Sequence, residues 1–209
     1  MSEPKVLFED HGNIALIKLN RPEKRNALDP ETVMMFNEFS EKAKDPKFKA
    51  VIVTGDESAF CGGADITAAA SEDGMGWESV EQALNEGYHV GLNNMIYMDK
   101  VVIAAVEGAC AGIGCAYYLS SDITVMAKSS FFQIGFSKIA LIPDGGSNWL
   151  LTKVVGYQQA FRMAAEAKRV SAEECQSLGM CSEICEDGSA LDTAMELAKH
   201  YAELAPVSY

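Results

Sequence analysis

Apolar residues along the chain fall into short runs that alternate with amphipathic segments. The longest run covers residues 101–127 and has the sequence VVIAAVEGACAGIGCAYYLSSDITVMA. It predicts a buried strand at 101–106, a turn carrying Gly108, Gly112 and Gly114, a buried helical segment at 115–121 and a second strand at 123–127. At such a junction the first N–H groups of the helix stay unpaired. The turn is therefore either a binding site for negative charge or only a tight connection.

The same patterns predict an α/β fold along the whole chain. Residues 6–9 and 14–19 flank a polar turn and predict a hairpin. Asp29 and Pro30 predict the start of a helix, as N-cap and first helical residue. Residues 67–76 are small and polar, which predicts a mobile segment. The remaining predictions are strands at 50–54, 131–134 and 180–185 and helices at 77–98, 157–167, 171–178 and 190–204, together with a helix opened by Gly145 and Gly146 whose apolar side carries Trp149, Leu150, Val154 and Val155.

Strands that alternate with helices indicate a largely parallel sheet with ligands at the carboxyl ends of its strands. The chain has 209 residues, of which 48% are hydrophobic, and this suits one large domain with a substantial core. Its net charge of −13 argues against nucleic acid or an anionic membrane as the main partner. Six cysteines without a C-x-x-C pair indicate free thiols in a reducing compartment, and three histidines without ligand spacing predict no metal site.

No apolar segment is long enough for a membrane span, and the first residues resemble neither a signal peptide nor a presequence. These features predict a cytoplasmic protein. Four of the 17 basic residues fall within eight positions, at Lys18, Arg21, Lys24 and Arg25. The cluster is either a solvated loop or a contact for a phosphate group.

Four ordered motifs, spread over essentially the whole chain, resemble the crotonase superfamily of enoyl-CoA hydratases and isomerases. They are Asn20-Arg21-Pro22 with Asn26-Ala27-Leu28, Phe60-Cys61-Gly62-Gly63-Ala64-Asp65-Ile66, Val106-Glu107-Gly108 through Gly112-Ile113-Gly114, and Ile142-Pro143-Asp144-Gly145-Gly146. The resemblance implies a spiral of repeated ββα units and an acyl-CoA thioester substrate. Coenzyme A is then part of the substrate and no other cofactor is expected. The resemblance also implies a homo-oligomer, as a trimer or a dimer of trimers.

The resemblance further implies roles for individual residues. By position, the backbone N–H groups of Gly62 and Ile113 would form an oxyanion hole around the thioester oxygen, where an enolate develops when a neighbouring proton is removed. The remaining positions implied for coenzyme A are Lys24 and Arg25 near its phosphates and Ala27, Ala64, Asp65 and Ile66 along its adenine and pantetheine path.

The chain departs from the hydratase pattern at both catalytic glutamate positions, which here hold Ala116 and Phe136. Isomerase branches instead carry one acid directly after the proline of the Ile-Pro pair, and this chain has Asp144 there. One carboxylate suffices for a double-bond shift, because it can remove a proton from one carbon and return it to another. An aspartate before two glycines is also a common helix N-cap. If Phe136, Ile142 and Trp149 wall the acyl pocket, they should raise the pKa of Asp144.

The leading hypothesis is an enoyl-CoA isomerase with Asp144 as base and then acid. A ring isomerisation of an aromatic-derived CoA thioester is a close variant. The alternatives are a hydratase that works with a single carboxylate and a non-catalytic acyl-CoA-binding subunit. A hydrolase is disfavoured, because Ser147 does not lie in a nucleophile elbow. We expect a core domain at 1–199, and residues 200–209 to begin a C-terminal helical region that is short or missing compared with the superfamily.

Overall fold

The computed structural model describes residues 3–66 and 77–204. The strands in these ranges are β1 Val6–Asp10, β2 Ile14–Leu19, β3 Ala50–Thr54, β4 Ala59–Cys61, β5 Val101–Val106, β6 Ala109–Ala111, β7 Ile123–Ala127, β8 Phe131–Gln133, β9 Val170–Ser171 and β10 Glu183–Cys185. The α-helices are α1 Pro30–Lys42, α2 Trp77–Gln82, α3 His89–Ile96, α4 Gly114–Leu119, α5 Ser147–Val155, α6 Tyr157–Glu166, α7 Ala172–Ser177 and α8 Ala190–Ala202. Short 3-10 helices lie at Pro22–Lys24 and Phe136–Ile139, and a π-helical segment, Ala83–Tyr88, joins α2 to α3.

A six-stranded sheet forms the centre of the fold, in the order β1-β2-β3-β5-β7-β10. Strand β1 is antiparallel to β2, as the predicted hairpin requires, and the other neighbours are parallel. One face packs against α8, where Ile52 and Ile103 share a cluster with Ala194. Val51 and Val102 belong to the core on the opposite face. Both faces are buried, and the central strands are therefore apolar throughout instead of alternating.

A second sheet has the order β4-β6-β8-β9, with parallel pairs except for β8 and β9. The chain passes from β3 to β4 and then to α2, from β5 to β6 and then to α4, and from β7 to β8 and then to α5. Each turn of this spiral is a ββα unit, which confirms the architecture implied by the sequence motifs. The patterns alone predicted a turn at β6 and no strand at β4, because a three-residue strand next to glycines has no readable periodicity.

The helix start at Asp29 and Pro30 is confirmed, since the Thr32 amide donates to Asp29 Oδ1 over 2.9 Å. The helix expected at 77–98 ends at Ile96 and contains the π-helical segment. Such segments are often found at functional sites. Here the segment is fixed to α1 because Asn37 Nδ2 donates to Gly87 O over 3.0 Å.

The predicted apolar side of α5 was wrong in part. The helix buries Ser147, Leu150 and Leu151, whereas Trp149 is 55% exposed and Val154 is 41% exposed. Ser147, Leu150 and Leu151 form the buried face because residues three and four positions apart lie on the same side of a helix. Trp149 points outward, and Lys153 Nζ lies 3.4 Å from the centroid of its ring.

All six cysteines are free, and all but Cys185 are buried, as expected for thiols that pack as small hydrophobes. No helix within the described ranges is long and apolar enough to cross a membrane. The predicted mobile segment, 67–76, lies outside the described residues. The domain boundary expected at residue 199 falls inside α8, and the division stays a prediction.

Candidate active site

The glycine-bearing turns after β4 and β6 meet at one end of the smaller sheet. The two strands are parallel neighbours, so both turns leave the sheet at the carboxyl ends of their strands. A Cβ atom added to Gly63 would lie 3.5 Å from the Gly112 Cα atom and 3.2 Å from the Ala111 carbonyl oxygen. This close approach would crowd a side chain at residue 63, and the positive φ of Gly63 also disfavours one. The peptide units that follow Gly63 and Gly112 are therefore neighbours.

The amide groups in these turns differ in whether they are free. The Gly62 N–H donates to the Arg25 carbonyl oxygen over 2.8 Å, so this structure does not present it to a ligand as the motif comparison predicted. Leu28 and Ala64 form a parallel bridge through Gly63 O and Asp65 N. The Ala64 N–H lies on the opposite side of that bridge. Neither it nor the Ile113 N–H is hydrogen-bonded to another described residue.

Asp144 lies beside the Ile113 turn. A Cβ atom on the next residue, Gly145, would come within 2.9 Å of Ile113 Cγ1 and 3.3 Å of Ala116 Cβ. The Asp144 carbonyl accepts hydrogen bonds from the Ser147 amide, over 3.0 Å, and from Ser147 Oγ, over 2.6 Å. These bonds hold the main chain of residue 144 at the start of α5, with its carboxyl group next to the turn after β6.

The Asp144 carboxyl group is partly buried, and its Oδ1 atom has no hydrogen-bond partner among the described residues. Burial raises the pKa of Asp144 to about 6. The N-cap interpretation was wrong, because Gly146 occupies the cap of α5 and no side chain caps that helix. Asp144 thus carries one unpaired carboxyl oxygen and a raised pKa, and the residue after it packs against the turn that holds the Ile113 amide.

The two hydratase glutamate positions hold apolar side chains in the same region. Ala116 is fully buried and faces Gly145, and Phe136 is 6% exposed within the core. Neither can transfer a proton. Of the three residues expected to wall the acyl pocket, Phe136 is buried, whereas Ile142 is 82% exposed and Trp149 is 55% exposed. Burial raises the pKa of Asp144, and the apolar groups nearest to the next residue, Gly145, are on the Ile113 turn and α4.

The basic loop divides into a buried cation and two exposed ones. Arg21 Nη2 lies 2.9 Å from Asp65 Oδ2 and 3.3 Å from Asp29 Oδ2, and all three side chains are nearly buried. Arg21 Nη1 also donates to the Ala27 carbonyl over 2.5 Å. Arg21 and Asp65 therefore tie this loop to the turn after β4. Lys24 and Arg25 are exposed and form no ion pair with any residue in the described ranges.

The remaining residues assigned to coenzyme A lie along the same edge. Ala64 is exposed, Ala27 is partly buried and Ile66 is 60% exposed. Tyr88 was not identified from the sequence. Its hydroxyl group donates to Leu28 O over 3.4 Å. Burial, followed by the negative charge of Asp144, raises the pKa of Tyr88 to about 12. The sequence offered one signal for Tyr88, namely its position late in the segment that follows the turn at residues 62–66.

Comparison with known proteins identifies relatives that cover most of the chain. Residues 9–209 match the model of the enoyl-CoA hydratase/isomerase family. The chain is 34% identical over 205 residues to 1,2-epoxyphenylacetyl-CoA isomerase of Escherichia coli (strain K12), and the alignment covers 94% of this chain and 76% of that protein. It is 32% identical over 210 residues to carnitinyl-CoA dehydratase of Citrobacter koseri, and that alignment covers 100% of this chain and 78% of that protein.

A solved structure shows the same architecture. The crystal structure of an enoyl-CoA hydratase from Polaromonas sp. JS666 has a TM-score of 0.90 to this chain at 31% identity, over 96% of this chain and 78% of that one. The names of these relatives describe an isomerase, a dehydratase and a hydratase, so they do not select one reaction. The matched region contains both glycine-bearing turns and Asp144. The chain belongs to the enoyl-CoA hydratase/isomerase family of the crotonase superfamily.

Proposed function

We propose that this enzyme is an enoyl-CoA isomerase, which moves a carbon–carbon double bond into conjugation with the thioester. The observation that carries the proposal is the buried, unpaired Oδ1 atom of Asp144 beside the Ile113 turn. An isomerase needs one group that takes a proton and gives it back, and Asp144 is a carboxylate without a structural partner for that atom.

The thioester oxygen is held by the amides of Ala64 and Ile113. Removing a proton next to a thioester produces an enolate, whose negative oxygen must be stabilised. Two unpaired backbone donors on adjacent turns meet this need without ionising themselves. This assignment replaces Gly62 by Ala64, because the Gly62 amide already donates to Arg25.

Asp144 performs both proton transfers. In its ionised form it removes a proton from the carbon between the thioester and the double bond, and the electron pair moves to the thioester oxygen. The resulting carboxylic acid then returns the proton to the far carbon of the former double bond, and the enolate collapses to the conjugated product. A pKa of about 6 suits both steps, since neither form is strongly favoured near neutral pH.

The coenzyme A part of the substrate lies along the edge formed by Ala27, Ala64 and Ile66. Lys24 and Arg25 are free to contact its phosphate groups. The Asp65 carboxylate is paired with Arg21, so its contribution is to position the turn that carries Ala64. A homo-oligomer, as a trimer or a dimer of trimers, and a cytoplasmic location belong to the same proposal.

The test is a direct comparison of two reactions by the purified protein. Isomerisation of 3-hexenoyl-CoA is followed by the absorbance of the conjugated product, and hydration of crotonyl-CoA by loss of that absorbance, with products identified by mass. We expect a higher kcat/KM for isomerisation. A faster hydration would instead establish a hydratase with a single carboxylate, and tight thioester binding without either product would establish a binding subunit.

A further inference from the structure

Arg21 is a buried cation that joins two separate segments of the candidate site. Its side chain is 10% exposed and lies between the basic loop, residues 20–28, and the turn after β4. Nη1 donates to the Ala27 carbonyl oxygen over 2.5 Å, and Nη2 donates to Asp65 Oδ2 over 2.9 Å. Because the guanidinium group is planar and rigid, these bonds hold the two partners at a fixed separation. Arg21 therefore links the basic loop to the turn that carries Ala64.

Main-chain hydrogen bonds on both sides of Ala64 join the same two segments. Leu28 N donates to Gly63 O over 2.8 Å, and Asp65 N donates to Leu28 O over 2.9 Å. The amide and the carboxylate of Asp65 thus both contact the basic loop. Since Ala64 lies between these bonds, a shift of the loop relative to the turn would move the Ala64 amide.

The basic loop has a backbone conformation that needs support. Arg25 has a φ of 51° and Asn26 a φ of 55°, which is the left-handed region that residues other than glycine adopt infrequently. Arg21 supports this conformation from both its main chain and its side chain. Its amide donates to Asn26 Oδ1 over 2.7 Å, its carbonyl accepts from Asn26 N over 2.9 Å, and its guanidinium group binds Ala27 O. Removal of the guanidinium group would allow the loop to relax.

The guanidinium group has a second carboxylate partner, which belongs to a different element. Asp29 Oδ2 lies 3.3 Å from Arg21 Nη2, and Asp29 Oδ1 caps α1 by accepting from the Thr32 amide. Asp29 and Asp65 thus approach the same nitrogen of Arg21. They differ in what they hold, because Asp29 fixes the start of α1 whereas Asp65 is the residue after Ala64.

We propose that Arg21 is a positioning residue that sets the register between the two ends of the CoA thioester. The inference rests on the proposed function, in which the basic loop contacts the phosphates and the Ala64 amide stabilises the enolate. Through Asp65, Arg21 fixes this amide relative to the loop. A donor displaced from the enolate oxygen stabilises the transition state less, although the thioester still binds. Loss of the pair between Arg21 and Asp65 should therefore lower kcat more than it raises KM.

The test compares two matched substitutions, Asp65→Asn and Asp29→Asn. Each replaces one carboxylate partner of Arg21 Nη2 by an amide of the same size. Asp65→Asn should lower kcat for 3-hexenoyl-CoA isomerisation by about 10- to 100-fold, less than the complete loss of an oxyanion donor. Asp29→Asn should keep kcat near that of the parent for the folded fraction. Arg21→Gln should resemble Asp65→Asn, and the double variant should lose no more, because the two residues act as a unit.

An infrared measurement reports on the donor directly. Hexanoyl-CoA with an isotopic label at the thioester carbonyl cannot be isomerised, and hydrogen bonds to its oxygen lower the stretching frequency of that bond. In the parent and in Asp29→Asn the band should lie below that of the free thioester. In Asp65→Asn and Arg21→Gln it should move back towards the free value. A purely structural role for Arg21 would lower the Tm and leave the band in place.

Equal kcat values and equal band positions for Asp65→Asn and Asp29→Asn would overturn the inference. If the parent still isomerises 3-hexenoyl-CoA in that case, the proposed function stands without it. Should Arg21→Gln fail to fold, Asp65→Asn decides alone, since there Arg21 keeps its contacts to Asp29 and Ala27. A parent protein with neither isomerisation nor a shifted band would overturn the proposed function together with the inference.

Discussion

Two carboxylates near the carboxyl ends of the smaller sheet have opposite environments. Asp29 belongs to an ion cluster formed by Lys5, Arg21, Asp29 and Asp65, in which Lys5 Nζ donates to Asp29 over 2.7 Å. Burial alone would raise the pKa of Asp29, but hydrogen bonds from Lys5 and Thr32 outweigh it and lower the pKa to about 2. Asp144 Oδ1 has no hydrogen-bond partner among the described residues, and burial raises the pKa of Asp144 to about 6.

The difference separates a carboxylate that stabilises the fold from the one proposed to transfer protons. The ionised form of Asp29 is stabilised by its neighbours, so it contributes to stability at neutral pH. Burial of Asp144 disfavours its ionised form, so ionisation there reduces stability. A buried carboxyl group that the fold does not pair is a candidate for catalysis, because its pKa is set where a proton can be both taken and returned.

The largest effect is expected from Asp144→Asn. The amide keeps the size of the side chain but cannot accept the substrate proton, so kcat for isomerisation should fall by about 100- to 10,000-fold. Stopped-flow or steady-state absorbance assays of 3-hexenoyl-CoA measure the loss. Asp144→Glu should retain part of the activity, since the base is kept and only displaced. A soluble Asp144→Asn protein that isomerises at the parent rate would exclude Asp144 as the base.

The matching substitution in the ion cluster should affect stability instead. Asp29→Asn can still cap α1 but leaves Lys5 and Arg21 with one charged partner fewer, which should cost about 2–3 kcal/mol of unfolding free energy. Urea unfolding at pH 7 measures the change. The folded fraction should keep a kcat near that of the parent. A large loss of kcat without a loss of stability would place Asp29 in the reaction and remove the contrast with Asp144.

The two carboxylates should make the unfolding free energy depend on pH in opposite directions. The pKa of Asp29 is lower in the folded state, so its contribution is present above about pH 4 and is lost as the pH falls towards 2. The pKa of Asp144 is higher in the folded state, so stability falls as the pH rises from about 4 to about 6. Asp144→Asn should abolish this second fall and be about 1–2 kcal/mol more stable than the parent at pH 8, after allowance for partial solvation.

Urea unfolding of both proteins at pH 4 and pH 8 tests this prediction, because the difference should appear only at the higher pH. Over the same range kcat of the parent should rise with pH as Asp144 ionises. Equal stabilities at both pH values would show that Asp144 has an ordinary pKa.

The smallest effect is expected at the exposed cations next to the ion cluster. Charge reversal of Lys24 and Arg25 should raise KM several-fold and leave kcat nearly unchanged, since these groups are remote from the reacting carbons. The increase should shrink at high salt, because ions screen exposed charges beyond about 8 Å at 0.15 M. The matched control is charge reversal at Lys199, an exposed residue of α8. An unchanged KM would exclude the basic loop from the coenzyme A site.

The sequence predicted local features better than long-range pairings. The buried strands, the start of α1 and the position of Asp144 all follow from residues that are close together in the chain. The Gly62 assignment failed because the bond from its amide to Arg25 joins segments 37 residues apart, which no local pattern reveals. Arg21 and Asp65 form an ion pair although they are 44 residues apart in the chain. The sequence alone therefore could not distinguish the buried Arg21 from the exposed Lys24 and Arg25.

The exposed positions of Ile142 and Trp149 were also beyond local patterns. Both are large and apolar and lie near Asp144 in the sequence, and such residues are more often buried than exposed. The exposure of Trp149 depends on the register of α5, in which successive residues point about 100° apart, and Ile142 lies before that helix. Helix boundaries are the least readable feature of a sequence.

The contact between Gly63 and Gly112 has a consequence for how this protein can evolve. The two amides beside that contact belong to the main chain, so any residue except proline supplies the donor at positions 64 and 113. Substitutions there can reshape the site without removing either of the proposed enolate donors. New reactions then need only a different proton-transfer group, as the replacement of two glutamate positions by Ala116 and Phe136 and the presence of Asp144 illustrate.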